Sequence, residues 1–190
     1  ANNNAQNLAL TENCLFVDEG FTHGGVSSFE VYMNFSYWPD WSRLVYWSAG
    51  PGAHDNVYGL ASTSFSTNRY AAYVNGANFY GGTWAYYSSS ELPSNSWIHI
   101  VQVIDSDASV KLYLNGNLYA STAVNTGNVT SSVKTISNRN FGAIGCYPEL
   151  GDSRGILRGM DANMRFFRYY HGKALSASEV LDLYLSLIHI

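Results

Sequence analysis

The stretch WIHIVQVIDSDASVKLYLNGNLYAS, residues 97–121, decides the fold. From Trp97 to Ile104 apolar residues fall on both faces of an extended chain, with Trp97, Val101 and Val103 on one and Ile98, Ile100 and Ile104 on the other. A strand of this kind is covered on both sides, so it belongs inside a sheet and not at its edge. After a short polar break at 105–109, Val110, Leu112 and Leu114 alternate with Lys111 and Tyr113. Asn115-Gly116 then supplies the pair that tolerates positive φ in a tight turn, and Leu118 and Ala120 resume the alternation. The segment reads as a central strand followed by a β-hairpin.

Working outward, strands are expected near 7–17, 28–37, 43–48, 57–63, 69–75, 83–88, 141–145 and 160–170, besides 97–105, 110–115 and 117–123. Clusters of Gly, Asn, Ser and Pro separate them, a spacing that suits an all-β antiparallel sandwich. Ser176-Ala177-Ser178-Glu179 has the form of a capping box and opens a short amphipathic helix over Val180 to Leu185. With 190 residues and no linker-like composition, the chain reads as one domain over 8–185, preceded by an arm at 1–7 and followed by a tail at 186–190. The closing LSLIHI reads as a final strand, a partner-facing tail or translated adapter read-through. The start ANNNAQNLAL has no positive n-region, apolar stretch or Met, so the chain is expected to be mature or cut from something longer.

Charged residues make up 13% of the chain and the formal net charge is −4 with ten Lys plus Arg, a balance that argues against a nucleic-acid footprint, since phosphate binding is driven by clustered positive charge. The basic concentration at Arg154, Arg158, Arg165 and Arg168 reads as strand and loop surface. No apolar run is long enough for a membrane helix. Cys14 and Cys146 lack metal or redox spacing, and a disulfide between them is expected. Closing so long a loop stabilises by on the order of 4–5 kcal/mol at most in the chain-entropy model. Asn34-Phe35-Ser36 and Asn128-Val129-Thr130 match the N-glycosylation tripeptide. In FEVYMNFSYW, Phe29, Val31, Met33 and Phe35 share one face, which leaves Glu30, Tyr32, Asn34 and Ser36 on the other and points Asn34 to solvent or a shallow groove.

Three segments together resemble a concanavalin A-like jelly roll of the laminin-G-like and pentraxin kind. They are SWIHIVQVIDSDASVKLYLNGNLYAS; NFGAIG with GMDANMRFFRYYHGKALSASEVLDLY; and FEVYMNFSYW with GPGAHDNVYGL, and the likeness covers most of 8–185. The resemblance implies two antiparallel sheets, one of them concave, on a frame used for carbohydrate binding, protein contact and assembly. It also implies calcium, with Asp55 and Asn56 matching the pentraxin Asp-Asn pair directly and Glu149 and Asp152 matching its acidic loop loosely. Oxygen donors from two loops are what calcium takes. The pentraxin cysteine pair falls on the strands of Phe29 and Val101, where this chain has none, so a Cys14–Cys146 link is a different one. Asp105 and Asp107 are a rival metal pair that the hairpin turn explains without metal.

Catalysis has little to stand on. A retaining glycosidase needs two carboxyls roughly 5–5.5 Å apart on one strand face, and none of the six Glu and eight Asp form Glu-x-Asp-x-Glu. Gly-x-Ser-x-Gly, His-Glu-x-x-His and a phosphate loop are absent, and His99 reads as a packed or hydrogen-bonded sheet residue. Tyr80, Trp84, Tyr86 and Tyr87 are the candidate sugar-stacking platform. The expectation is a secreted or surface-exposed, non-catalytic module that recognises carbohydrate or glycoprotein, with calcium as its cofactor. The alternative is a structural jelly-roll subunit of an extracellular filament, coat or matrix.

Overall fold

The computed structural model describes residues 15–18, 26–37, 43–48, 58–63, 66–74, 83–86, 92–105, 110–122, 141–145 and 160–188, with side chains at 26–37, 44–45, 92–105, 110–119, 144–145 and 160–188. Among them run β1 (Leu15–Asp18), β2 (Ser27–Tyr37), β3 (Arg43–Ser48), β4 (Tyr58–Thr63), β5 (Ser66–Val74), β6 (Thr83–Tyr86), β7 (Trp97–Ile104), β8 (Val110–Leu114), β9 (Asn117–Thr122), β10 (Phe141–Ile144), β11 (Asp161–His171) and α1 (Ala177–Ile188). The strands form two antiparallel sheets, of order β1-β10-β3-β4-β5-β6 and β11-β2-β7-β8-β9. Every strand expected from the sequence has its counterpart.

The expected central strand is β7, held between β2 and β8 with every residue after Trp97 buried. Its two faces serve two cores. Ile98, Ile100 and Ile104 join Phe29, Val31, Met33 and Phe35 of β2 and Val110 and Leu112 of β8 against Leu44 and Val45 of the six-stranded sheet. At roughly 1.5–3 kcal/mol for each large apolar side chain removed from water, this inter-sheet layer dominates the stability. Gln102 also lies in the buried part of β7, beside Phe29 and Leu112, and its amide oxygen and nitrogen have no hydrogen-bond partner among the described residues.

On the other face Val101, Val103 and Tyr113 pack against Leu175, Val180 and Leu183, so α1 lies across the outside of the five-stranded sheet. Ser28 ties the approach to α1 down: its hydroxyl donates to the Lys173 carbonyl and accepts from the Leu175 N–H, each at 3.0 Å. The capping box forms as the sequence predicts. Glu179 N–H donates to Ser176 Oγ at 3.3 Å and Ser176 N–H to Glu179 Oε2 at 2.8 Å. Lys173 Nζ is 2.6 Å from Glu179 Oε1, and that contact with the Ser176 bonds lowers the Glu179 pKa to about 2. The helix runs to Ile188, beyond the Leu185 expected from the pattern, so the first part of LSLIHI is helical.

The β8–β9 turn also takes its expected form, with positive φ at Asn115 (47°) and Gly116 (77°). Asn115 Oδ1 accepts from the His99 N–H and Asn115 N–H donates to the His99 carbonyl, both at 2.9 Å, so the turn clips onto β7. A Cβ on Gly116 would stand 3.0 Å from Tyr184 Cδ1 and 3.1 Å from Leu181 Cδ1. Glycine is needed here for both φ and the approach of α1.

Candidate functional site

Strand register decides what the outer face of the six-stranded sheet carries. Successive partners place Phe16, Ala143, Tyr46, Gly59, Tyr73 and Trp84 in one row across all six strands. The adjacent row is Leu15, Ile144, Val45, Leu60, Ala72 and Ala85. Val45 and Ile144 are buried, Val45 in the inter-sheet core, so this second row belongs to the inner face. Alternation then assigns the aromatic row to the outer face. Tyr86 follows two residues after Trp84 on that face, opposite Ala71. Three strand spacings separate Tyr46 from Trp84, about 14 Å, with Gly59 as the smallest residue in the row between them.

Of the platform expected from sequence, Trp84 and Tyr86 thus share one face of the edge strand β6, while Tyr80 and Tyr87 lie outside the described residues. Alternation along β6 sufficed to pair those two. Tyr46 and Tyr73 were not singled out, because only cross-strand register aligns them with Trp84. Asp55, Asn56, Glu149, Asp152, Asp107, Cys14, Cys146, Asn128, Arg154 and Arg158 also lie outside the described residues. Asp105 is described, 3.7 Å from Lys111 Nζ.

The outer face of the five-stranded sheet is built differently. Glu30 was expected on the solvent side of β2, yet it is fully buried, because α1 and its approach cover that part of the sheet. His99 Nε2 lies 3.0 Å from Glu30 Oε1, Tyr170 Oη donates to Oε2 at 2.7 Å, and Arg168 Nη1 stands 3.2 Å from Oε2. Burial by itself raises the carboxyl pKa, but the His99 and Tyr170 hydrogen bonds and the Arg168 charge outweigh it and hold Glu30 below its ordinary value. Desolvation and the same hydrogen bond push Tyr170 up to about 12. His99 Nε2–H donates to Glu30, while Nδ1 has no hydrogen-bond partner among the described residues. Tyr184 of α1 stacks on that ring, with centroids 6.0 Å apart. Glu30 and His99 are wholly sealed from solvent, so the network ties β2, β7 and β11 together beneath α1 and offers no acid or base to a ligand.

Beyond the reach of α1 the same face is open and aromatic. Tyr32 lies 5.1 Å from Trp97 and 6.1 Å from Phe166, centroid to centroid. The Arg165 guanidinium sits 4.9 Å from the Trp97 ring and that of Arg168 lies 4.3 Å from Phe166. Trp97 is 37% exposed, and Asn34, half-buried, is registered directly opposite it. Arg165 and Arg168 are surface residues, as expected, although Arg168 also reaches inward to Glu30.

Two antiparallel sheets packed face to face, with a helix across one outer face, define a lectin-like jelly roll. The chain belongs to the concanavalin A-like lectin/glucanases superfamily, whose laminin-G model matches residues 5–181. Among solved structures it is similar to domain 4 of the extracellular arabinanase AbnA of Geobacillus stearothermophilus, in complex with arabinotriose, at 18% identity and a TM-score of 0.60, covering 90% of this chain and 71% of that one. It is also similar to the botulinum neurotoxin type C structure described with cell entry through two ganglioside molecules (14% identity, TM-score 0.58, 92% of this chain and 40% of that one). A third likeness is to the Trypanosoma rangeli sialidase in complex with sialic acid (17% identity, TM-score 0.55, 86% and 23%). No curated protein sequence matches the chain significantly. At such identities the likeness establishes the fold.

Proposed function

We propose that this chain is a non-catalytic carbohydrate-recognition module whose ligand lies along the outer face of the six-stranded sheet. The observation that carries the proposal is the register placing Tyr46, Tyr73 and Trp84 in one row, with Gly59 between and Tyr86 on the same face. Aromatic planes separated by a residue without a side chain suit the flat apolar faces of successive sugar rings. The neighbouring folds support this reading through the arabinotriose, ganglioside and sialic acid with which they are described. Calcium is part of the proposal, bound by Asp55, Asn56, Glu149 and Asp152, whose carboxylate and amide oxygens are the donors that ion takes.

The module acts outside the cell. In keeping with the disulfide proposed between Cys14 and Cys146 in an oxidising compartment, the pairing of β1 with β10 brings together the chain segments that adjoin these two residues. Among the described residues no helix is long and apolar enough to cross a membrane. A second reading, a subunit that packs on copies or neighbours, draws on the exposed Leu118 of β9 and Leu181, Leu185 and Ile188 of α1.

The test is glycan-array binding with arabino-oligosaccharides, sialylated glycans and gangliosides, with and without chelator, on protein sized by light scattering. Binding lost in Trp84→Ala and Tyr73→Ala supports the module. Large assemblies indifferent to both sugar and chelator transfer the weight to the subunit reading.

A further inference from the structure

The sequon at Asn34 and the open aromatic patch beside it occupy one place on the five-stranded sheet. Asn34 is flanked across the sheet by Trp97 of β7 and Asn163 of β11. Tyr32, two residues earlier on β2, shares its face, and its ring packs on Trp97 at 5.1 Å. We propose that Asn34 carries an N-linked glycan whose first N-acetylglucosamine packs on the Trp97 and Tyr32 rings.

Four observations meet here. The tripeptide is complete, Asn34 is half-buried at the open end of the sheet, the two nearest same-face rings are aromatic, and the larger of them is 37% exposed. Cross-strand neighbours on one sheet face stand close enough for their side chains to touch, so a sugar on the Asn34 amide is brought to the Trp97 ring by the backbone pairing itself. Arg165, an exposed side chain, lies over Trp97 in the bare protein. Exposed cation–π contacts are weak, and a covalently tethered sugar competes for the ring at high effective concentration.

The attachment must precede folding. In the folded chain Ser36 Oγ donates to the Asp161 carboxylate, which engages the hydroxyl of the sequon. Asp161 lies 125 residues further along, so the sequon emerges well before β11 can pair with it. In the transfer step the Asn34 amide nitrogen bonds to C1 of the reducing-end sugar of a lipid-pyrophosphate-linked oligosaccharide. The bond from C1 to the pyrophosphate oxygen breaks, the lipid pyrophosphate leaves with the electron pair, and the amide loses one proton.

To test this, the full chain is secreted from cultured animal cells, its glycopeptides are mapped, and the glycan is trimmed enzymatically to one N-acetylglucosamine. Asn34 is expected to be occupied. The acetyl methyl proton resonance of the remaining sugar is expected to be displaced upfield by the indole ring current, relative to the same sugar on the denatured chain. In Trp97→Ser that displacement is lost. An unmodified Asn34 in secreted, folded protein overturns the proposal, as does an undisplaced methyl resonance or one that Trp97→Ser leaves unchanged. Should Trp97→Ser not be secreted, nuclear Overhauser contacts between the sugar and the indole in the unsubstituted protein decide: their presence supports the platform and their absence refutes it.

Discussion

Replacing Glu30 by alanine tests whether the buried carboxylate is what holds β2, β7 and β11 together beneath α1. Three donors lose their acceptor at once: His99 Nε2 at 3.0 Å, Tyr170 Oη at 2.7 Å and Arg168 Nη1 at 3.2 Å. Arg168 is 49% exposed and returns to water at little cost. His99 is fully buried with Nδ1 already unpartnered, so its remaining donor is orphaned, and Tyr170 loses a charge-assisted bond. Leaving the His99 donor unsatisfied costs about 1–3 kcal/mol and losing the charge-assisted Tyr170 bond about 1.5–3 kcal/mol, together about 3–5 kcal/mol. For a chain of this size, at about 2–4 °C per kcal/mol, the melting temperature should fall by roughly 6–20 °C. Glu30→Gln keeps an acceptor for His99 and should lose less, about 1–2 kcal/mol.

Calorimetric and circular-dichroism melts measure both variants. Glu30 is held below its ordinary value of 4.5, so its contribution is complete above that pH and fades as pH falls through the lowered folded value. The acid limb of the stability curve should therefore flatten in Glu30→Gln. A loss below about 1 kcal/mol in Glu30→Ala, or equal losses in the two variants, would show that the carboxylate does not hold these strands together.

Three further outcomes follow from other parts of the molecule. Gln102→Met removes a buried amide without partners and should raise stability by about 1–2 kcal/mol in urea titrations, whereas a loss would show that the amide is satisfied in solution. Gly116→Ala places a Cβ 3.0 Å from Tyr184 at φ +77°, and should cost about 1–2 kcal/mol from backbone strain alone, read as a lower thermal midpoint; a neutral result would refute the positive φ at this turn. Trp84→Ala should weaken glycan binding at least about tenfold, near 1.4 kcal/mol by calorimetry, with the melting temperature little changed. Equal affinity would remove β6 from the site.

What could be read in the sequence was whatever is set by neighbours along the chain. The alternation in 97–121 determines β7 and its hairpin, because burial on both faces and an Asn-Gly turn need no distant partner. Two bulges defeat the same reading elsewhere. Between Arg43 and Val45 the register shifts, and Leu44 and Val45 both enter the core, so the face of Tyr46 cannot be counted from the start of β3. Between Met164 and Phe166 it shifts again; Met164 and Phe167 pack on the core while Phe166 joins Tyr32 outside. The burial of Glu30 was also illegible, since its partners Arg168 and Tyr170 lie 138 and 140 residues further on and the helix above it comes later still. Sequence period shows which residues can share a face; what covers that face is decided by contacts far along the chain.

The two outer faces therefore stand in different physical situations. On the five-stranded sheet α1 covers Val101, Val103 and Tyr113, while the end around Tyr32, Trp97 and Phe166 is open, with Asn34 placed to fill it. A ligand spreading from that end over the rest of the face has to displace α1, packed on Val101, Val103 and Tyr113. On the six-stranded sheet the helix is elsewhere, and a row of aromatic and small residues crosses every strand. A recognition surface costs least where it does not require a packed helix to move. By that reasoning Tyr73→Ala and Trp84→Ala should abolish glycan capture while Trp97→Ser leaves it intact, and the reverse pattern would transfer the ligand to the helix-bearing sheet.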